Sequence, residues 1–154
     1  MFLALLIGVG VLLGSLLFYA VATVLIVHLV VPVVPDHHGT LGFFKGVVVM
    51  ILVTLITAVM HLIEIALWAI VFLLCGEMAS FEKAFYFSAV NYTALGYGDI
   101  VLSERWRLLG PVEAINGLLL FGLSTAFLFA VLSHLIMARL RHQFGPRVEG
   151  WVRE

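Results

Sequence analysis

The chain has 154 residues, of which 64% are hydrophobic and 11% are charged, and its mean hydropathy is +1.20. Soluble domains carry about 25% charged residues, so this composition excludes a soluble globular protein and indicates an integral membrane protein. The net charge of −1 leaves no broad basic surface for nucleic acid, and the single cysteine, Cys75, excludes an intrachain disulfide and a multi-cysteine metal site.

Three long apolar segments follow one another along the chain, at residues 2–31, 43–75 and 110–138. About 20 apolar residues suffice to cross a bilayer, so each segment predicts one transmembrane helix. The first segment contains neither Lys nor Arg, so it lacks the charged start of a cleavable signal and we expect it to be retained. The same absence excludes a voltage sensor that moves arginines through the membrane field.

Gly10 and Gly14, within the first segment, have the spacing by which small residues let membrane helices pack closely. This pair predicts either a contact with a neighbouring helix, including one of another subunit, or an ordinary lipid-facing surface. The sequence leaves both readings open.

Two prolines and two histidines at residues 31–39 predict a turn at the membrane surface after the first span. Because basic residues favour the cytoplasmic side, the arginines after the last span predict a cytoplasmic C-terminus and an N-terminus outside. The tail, residues 141–154, can lie against anionic lipid headgroups or simply anchor the chain. The four arginines are Arg139, Arg141, Arg147 and Arg153.

His61 and Glu64 lie three residues apart, and therefore on one helical face, deep in the second span. Ionisable groups at this depth are costly, by at least about 2.5 kcal/mol, and usually have partners. One hypothesis is a regulatory pair in which His61 senses protons near neutral pH. The other is a polar lock to the following short helix, through Asn91 or Tyr92.

A shorter apolar segment, Ser80 to Thr93, separates the second and third spans. It is too short to cross a bilayer and predicts a half-helix that enters and returns. Ser80 can cap its N-terminus, and Glu82 in the first turn complements the helix dipole.

The heptad Thr93-Ala-Leu-Gly-Tyr-Gly-Asp99 comes directly after this half-helix. Gly96 and Gly98 alternate with bulky residues, and glycine adopts positive φ without a steric penalty, so neighbouring carbonyls can face the same way. Four such strands around one axis would stack rings of carbonyl oxygens, which replace the hydration shell of K⁺ in selectivity filters.

Three motifs follow one another along the chain. They are Tyr86-Phe-Ser-Ala-Val-Asn-Tyr-Thr93 in the half-helix, Gly96-Tyr97-Gly98-Asp99 after it, and Gly117-Leu-Leu-Leu-Phe-Gly-Leu-Ser-Thr-Ala126 in the last span. In this order and spacing, over about residues 43–138, the chain resembles the pore domain of tetrameric potassium channels. The resemblance implies an all-α membrane protein with three transmembrane helices, a re-entrant pore helix and a selectivity filter. It divides the chain into an N-terminal span with its cytoplasmic turn (1–41), a pore domain (42–140) and a short basic cytoplasmic tail (141–154).

The resemblance also implies roles for individual residues. It places K⁺, with no organic cofactor, in a filter made by Thr93, Ala94, Leu95, Gly96, Tyr97 and Gly98. Tyr97 would pack against the pore helix, and Asp99 would be a carboxylate at the outer mouth. In the inner helix, Gly117 would be a hinge and Thr125 would face the cavity, with Phe121 and Gly122 beside them. Close helix packing is the alternative role for Gly117 and Gly122.

Ala94 departs from the family pattern, which usually has a second threonine at this position. The innermost ion site would therefore lose a ring of hydroxyls and keep carbonyls alone on that side. Our hypothesis is that this site is more weakly occupied while potassium selectivity is retained, because the other sites are built from backbone. Equal conductance and equal barium block in wild type and Ala94→Thr would contradict it.

Taken together, these features predict a potassium-selective channel that conducts passively as a homotetramer in a bacterial inner (plasma) membrane. They indicate neither an enzyme nor a nucleic-acid partner. Two alternatives stay open. The first is a weakly selective cation channel, which Ala94 favours, and the second is a non-conducting membrane accessory subunit.

Overall fold

A computed structural model describes residues 2–30 and 43–144, and these ranges contain four helices and no β-strand. The helices are α1 (Phe2–Val30), α2 (Phe43–Leu74), α3 (Phe81–Tyr92) and α4 (Leu109–Phe144). The predicted surface turn at 31–39 and the tail from residue 145 onward lie outside the described residues. The predictions that rest on them, including orientation, stay predictions.

Three of these helices are long and apolar enough to cross a membrane, over Phe2–His28, Phe44–Leu74 and Leu109–Met137. They correspond to the three predicted spans, and α3, with 12 residues, is too short to be a fourth. The predicted all-α membrane fold is therefore confirmed. The division at residues 41 and 140 stays a prediction.

The chain forms two compact units. The first comprises Met1–Val21 and Ala58–Leu123, and thus most of α1, the second half of α2, all of α3 and the start of α4. The second comprises Ala22–Thr57 and Ser124–Glu154, where the Thr57 hydroxyl donates to the carbonyl of Val53 in its own helix at 2.8 Å. Apart from Thr125, the candidate site residues lie in the first unit.

The core of the first unit is built where α2, α3 and α4 meet. The Phe72 ring of α2 meets the Phe87 ring of α3 edge-on, with centroids 4.9 Å apart. Aromatic pairs in this geometry add to the dispersion energy of burial. The fully buried apolar residues around them are Trp68, Ala69, Ala84, Tyr92, Leu109 and Leu120.

The C-terminal end of α2 is capped by a glycine. Gly76 has φ +74, its N–H donates to the carbonyl of Leu73 and the Glu77 N–H donates to that of Phe72. This is the hydrogen-bond pattern of a Schellman cap, in which glycine takes the left-handed position. Both carboxylate oxygens of Glu77 then accept bonds from Ser103, from its N–H and its hydroxyl, at 2.7 Å each. Glu77 thus connects the end of α2 to the loop before α4.

One face of α1 packs into the first unit through Ala4, Gly8, Ser15 and Tyr19, all of which are buried. A Cβ on Gly8 would lie 3.1 Å from Val112 Cγ1 and 3.3 Å from Leu109 Cδ2 of α4, which is tighter than most contacts. Gly10 and Gly14 instead have nothing within 4 Å of such a Cβ. The close helix contact is therefore made by Gly8, while the face with Gly10 and Gly14 is open in a single chain.

We expect Gly8→Leu to lower the stability of the protein in detergent by about 2 kcal/mol, because the added side chain overpacks the contact with α4. Gly10→Leu is the matched control, with the same change in helix propensity and no neighbour to displace, and should leave stability unchanged or raise it by up to about 1 kcal/mol. Thermal unfolding followed by circular dichroism measures both. Equal losses at the two positions would contradict this assignment of the close contact.

Candidate functional site

The segment after α3 has a backbone of alternating hand. Positive φ occurs at every second residue: 56° at Ala94, 58° at Gly96 and 74° at Gly98. The two glycines were expected to adopt it, and Ala94 extends the alternation one step toward α3. A left-handed conformation costs an L-residue roughly 1–2 kcal/mol, so the surrounding structure must hold Ala94 there. The sequence signal for a positive φ at Ala94 is its spacing, two residues before Gly96.

The same segment is exposed in a single chain. All residues from Thr93 to Asp99 are exposed, with Leu95 at 55% and Tyr97 at 66%. The chain itself therefore does not bury the ring of Tyr97, and the packing role implied for this residue stays a prediction. No candidate group of three or more His, Cys, Asp or Glu side chains for a metal ion occurs within 2–30 and 43–144.

The start of the segment is held by hydrogen bonds to the last turn of α3. The N–H groups of Leu95 and Gly96 donate to the carbonyl of Val90, at 3.0 and 3.3 Å, and the Ala94 N–H donates to that of Asn91 at 2.8 Å. The Thr93 hydroxyl donates to the carbonyl of Ala89 at 2.7 Å. The C-terminal end of α3, which carries a partial negative charge, thus adjoins the start of the segment directly.

The Asp99 end of the segment is tied back to α3 by a side-chain bond. The Tyr86 hydroxyl donates to Asp99 Oδ2 at 2.8 Å. This bond, followed by burial and by the charges of Asp99 and Tyr97, raises the pKa of Tyr86, so its hydroxyl remains a donor at neutral and mildly alkaline pH. Sequence reasoning named both residues but did not pair them, since 13 positions separate them.

The end of the segment next to α3 is fixed by Tyr92, the last residue of that helix. Tyr92 is fully buried, its hydroxyl lies 2.9 Å from His61 Nδ1, and its ring meets Phe121 with centroids 5.5 Å apart. A Cβ built on Gly117 would overlap the Tyr92 carbonyl oxygen. The first residue of the segment, Thr93, therefore follows a residue held by α2 on one side and α4 on the other.

His61 and Glu64 have different partners. His61 contacts Tyr92, as the polar-lock hypothesis expects, and its ring also lies 4.5 Å from that of Phe121. Glu64 Oε2 accepts a 2.6 Å bond from the Ser15 hydroxyl of α1, and not from Asn91 or Tyr92. The polar contacts of this pair thus include the first span, a partner that the sequence analysis did not predict.

A second buried carboxyl, Glu113, joins α4 to α3. The Ser88 hydroxyl is 2.8 Å from the carbonyl of Ile65 and 2.5 Å from Glu113 Oε1. A hydroxyl has one proton to donate, and the Ile65 carbonyl can only accept it. The Ser88–Glu113 contact is then a hydrogen bond when Glu113 carries its acid proton and donates it. The neutral form also avoids the cost of a charge at membrane depth.

Several buried polar atoms near these carboxyls have no hydrogen-bond partner within the described residues. Glu64 and Trp68 stand one turn apart on α2, and Glu113 and Asn116 stand one turn apart on α4. Buried polar groups are costly without partners, so these atoms restrict how the helices can pack. The atoms are Glu64 Oε1, Trp68 Nε1, Glu113 Oε2 and both amide atoms of Asn116.

The inner-helix residues implied by the resemblance lie in different surroundings. Gly117 is in close contact with Tyr92, whereas Gly122 has nothing within 4 Å of a built Cβ. Thr125 is exposed in a single chain, and α4 runs without a break through all of them. The geometry gives Gly117 a packing function, and a hinge at this residue stays a prediction.

Gly117→Ala should lower stability by at least about 2 kcal/mol, because the added methyl group meets backbone rather than a flexible side chain. Gly122→Ala is the matched control in the same helix, and should leave stability unchanged or raise it by up to about 1 kcal/mol through helix propensity. Thermal unfolding in detergent measures both variants. A Gly117→Ala protein as stable as Gly122→Ala would contradict the close contact.

Comparison with known proteins adds one finding. Residues 59–134 match a family model described as ion channel, a region just under half of the chain that contains α3, the alternating segment and Gly117. No curated protein and no solved structure shows a significant match. Together with three helices able to cross a membrane, the match supports an ion channel family for this all-α membrane protein.

Proposed function

We propose that the chain forms a potassium-selective channel in which residues 93–98 line the conduction path. The observation that carries the proposal is the positive φ at Ala94, Gly96 and Gly98. Alternation of backbone hand turns consecutive carbonyls toward one side, and a ring of such carbonyls can replace the hydration shell of K⁺. The same segment lies inside the region that matches an ion channel family.

We infer that the channel is a homotetramer from the exposure of this segment. Non-helical backbone at membrane depth is tolerated where it is buried in protein or lines water. In a single chain Leu95 and Tyr97 are more than half exposed, beside helices long enough to cross the membrane. Further copies of the chain around a central axis would cover the outer side of the segment and leave its carbonyls facing a water-filled path.

The site supplies favourable electrostatics for a cation. The C-terminal end of α3, with its partial negative charge, leads into the segment, and the Asp99 carboxylate stands at its far end. No enzymatic mechanism is needed for such a path. Ions would move down their gradient between backbone oxygens.

The alternative of a weakly selective cation channel is favoured by Ala94. A methyl group replaces the hydroxyl that would complete the innermost site, and the residue also holds a conformation costly for an L-residue. Selectivity would then depend on the carbonyls of Leu95, Gly96 and Tyr97. A non-conducting accessory subunit is the alternative of another class.

The test is ion flux into liposomes that contain the purified protein. We expect K⁺ flux that barium blocks and that exceeds Na⁺ flux at equal gradients. Gly96→Ala should lower K⁺ flux severalfold, because a Cβ at φ +58 adds a second left-handed L-residue, at a cost of about 1–2 kcal/mol, to the one that Ala94 already imposes. Gly46→Ala, a helical position with open space around it, is the control and should conduct normally. Equal K⁺ and Na⁺ flux would favour the weakly selective channel, and no flux of either ion the accessory subunit.

Tyr86→Phe should shorten the time for which the open channel keeps conducting, by severalfold, because the outer end of the segment loses its bond to α3. Asp99→Asn is the matched comparison, since an amide oxygen still accepts the Tyr86 bond while the charge is lost. Sustained single-channel recording measures the open duration. If Tyr86→Phe behaves as wild type while Asp99→Asn does not, the charge matters and the bond does not.

A further inference from the structure

The first span contacts α2 through two buried side chains one helical turn apart. Ser15 is 4% exposed and its hydroxyl donates to Glu64 at 2.6 Å, while the Tyr19 ring, 3% exposed, stacks on that of His61 with centroids 6.1 Å apart. The spacings, four residues on α1 and three on α2, place both contacts along one helix–helix interface. In lipid, where apolar burial does not distinguish one helix face from another, such polar contacts set which faces meet.

One of these two α2 positions, His61, leads onward to the filter. His61 Nδ1 lies 2.9 Å from the Tyr92 hydroxyl, and Tyr92 immediately precedes Thr93. Tyr92 has no space to move aside, because its carbonyl lies directly against Gly117 and its side chain is fully buried. A shift of His61 is therefore transmitted to the inner end of the segment and is not absorbed by loose packing.

The geometry of the inner end, at residues 93 and 94, depends on how α3 and its neighbours hold the backbone. Ala94 offers no hydroxyl, so an ion there meets carbonyl oxygens whose position depends on the backbone at residues 93 and 94. Ala94 also holds φ at 56°, a conformation that persists only when its surroundings enforce it. Contacts that place Tyr92 are therefore contacts that shape the innermost ion site.

We propose that the first span is a positioning element of the filter: Tyr19 acts through His61 on Tyr92, and the Ser15–Glu64 bond holds the same α1–α2 interface in place. Ser15 is a positioning residue and does not touch the ion. The proposal rests on the proposed function and deepens it, because it gives α1 a role in the K⁺ affinity of the innermost site. A purely structural role for α1 would instead affect stability to the same extent at every K⁺ concentration.

The experiment is a K⁺ titration of thermal stability, since an ion that binds only the folded protein stabilises it by RT ln(1 + [K⁺]/Kd), and the curve therefore yields the dissociation constant Kd. Ser15→Ala and Tyr92→Phe interrupt the path at its two ends. Each should raise the K⁺ midpoint, defined as the K⁺ concentration equal to the fitted Kd, by up to about fivefold, which corresponds to the loss of one hydrogen bond of about 1 kcal/mol. Because both lie on one path, the double variant should show less than the product of the two shifts.

Two controls separate this effect from general damage. Thr54→Val removes a hydroxyl that bonds the carbonyl of Met50 in its own helix, at 2.8 Å, and should leave the K⁺ midpoint unchanged. Ser15→Thr keeps the donor and should retain the wild-type midpoint. If Ser15→Ala does not fold, Tyr92→Phe and Glu64→Gln still test the path from its other members.

The proposal is overturned if Ser15→Ala lowers the unfolding temperature by a constant amount while the K⁺ midpoint stays at the wild-type value. It is also overturned if the shifts of Ser15→Ala and Tyr92→Phe multiply, since the two residues would then act independently. A wild-type protein whose unfolding does not respond to K⁺ at all would reject the potassium filter itself. That outcome is distinct from a responsive wild type with unresponsive variants.

Discussion

The contact between Gly117 and the backbone of Tyr92 is the constraint on which the rest of the site depends. It lets α4 approach the end of α3 until there is no room for a side chain between them. The irregular segment from Thr93 onward therefore starts from a fixed point inside the protein. This matters because peptide groups at membrane depth have no water to replace a lost partner, and irregular backbone needs protein or a hydrated path around it.

Around this contact the structure uses hydroxyl groups to support buried acids. Ser15 of α1 is hydrogen-bonded to Glu64 of α2, and Ser88 of α3 is hydrogen-bonded to Glu113 of α4, so each carboxyl joins its own helix to another one. Each leaves its second oxygen without a partner in the described residues. Polar atoms that would be unfavourable in lipid thus specify which helix faces meet, and general apolar attraction cannot do so when the solvent is itself apolar.

Much of the fold was predictable because it depends on local properties of the sequence. Length and hydropathy predicted the three long helices, and Ser80 with Glu82 predicted where α3 begins, since a cap acts on the adjacent turn. The site was predictable in part. Gly96 and Gly98 indicated the alternating backbone, but the positive φ of Ala94 was missed, because an alanine does not adopt that conformation unless its neighbours enforce it.

The sequence by itself determined that this is a helical membrane protein with a short half-helix and a glycine-alternating segment, because hydropathy, capping and glycine act within a few residues of chain. Only the tertiary structure decided that Glu64 turns to Ser15 of the first span, that Tyr86 reaches Asp99 and that Gly117 meets Tyr92. Each of these contacts joins residues that are distant in the chain, or on different helices, and its partner is chosen by packing. No local sequence pattern predicts which residues these partners are.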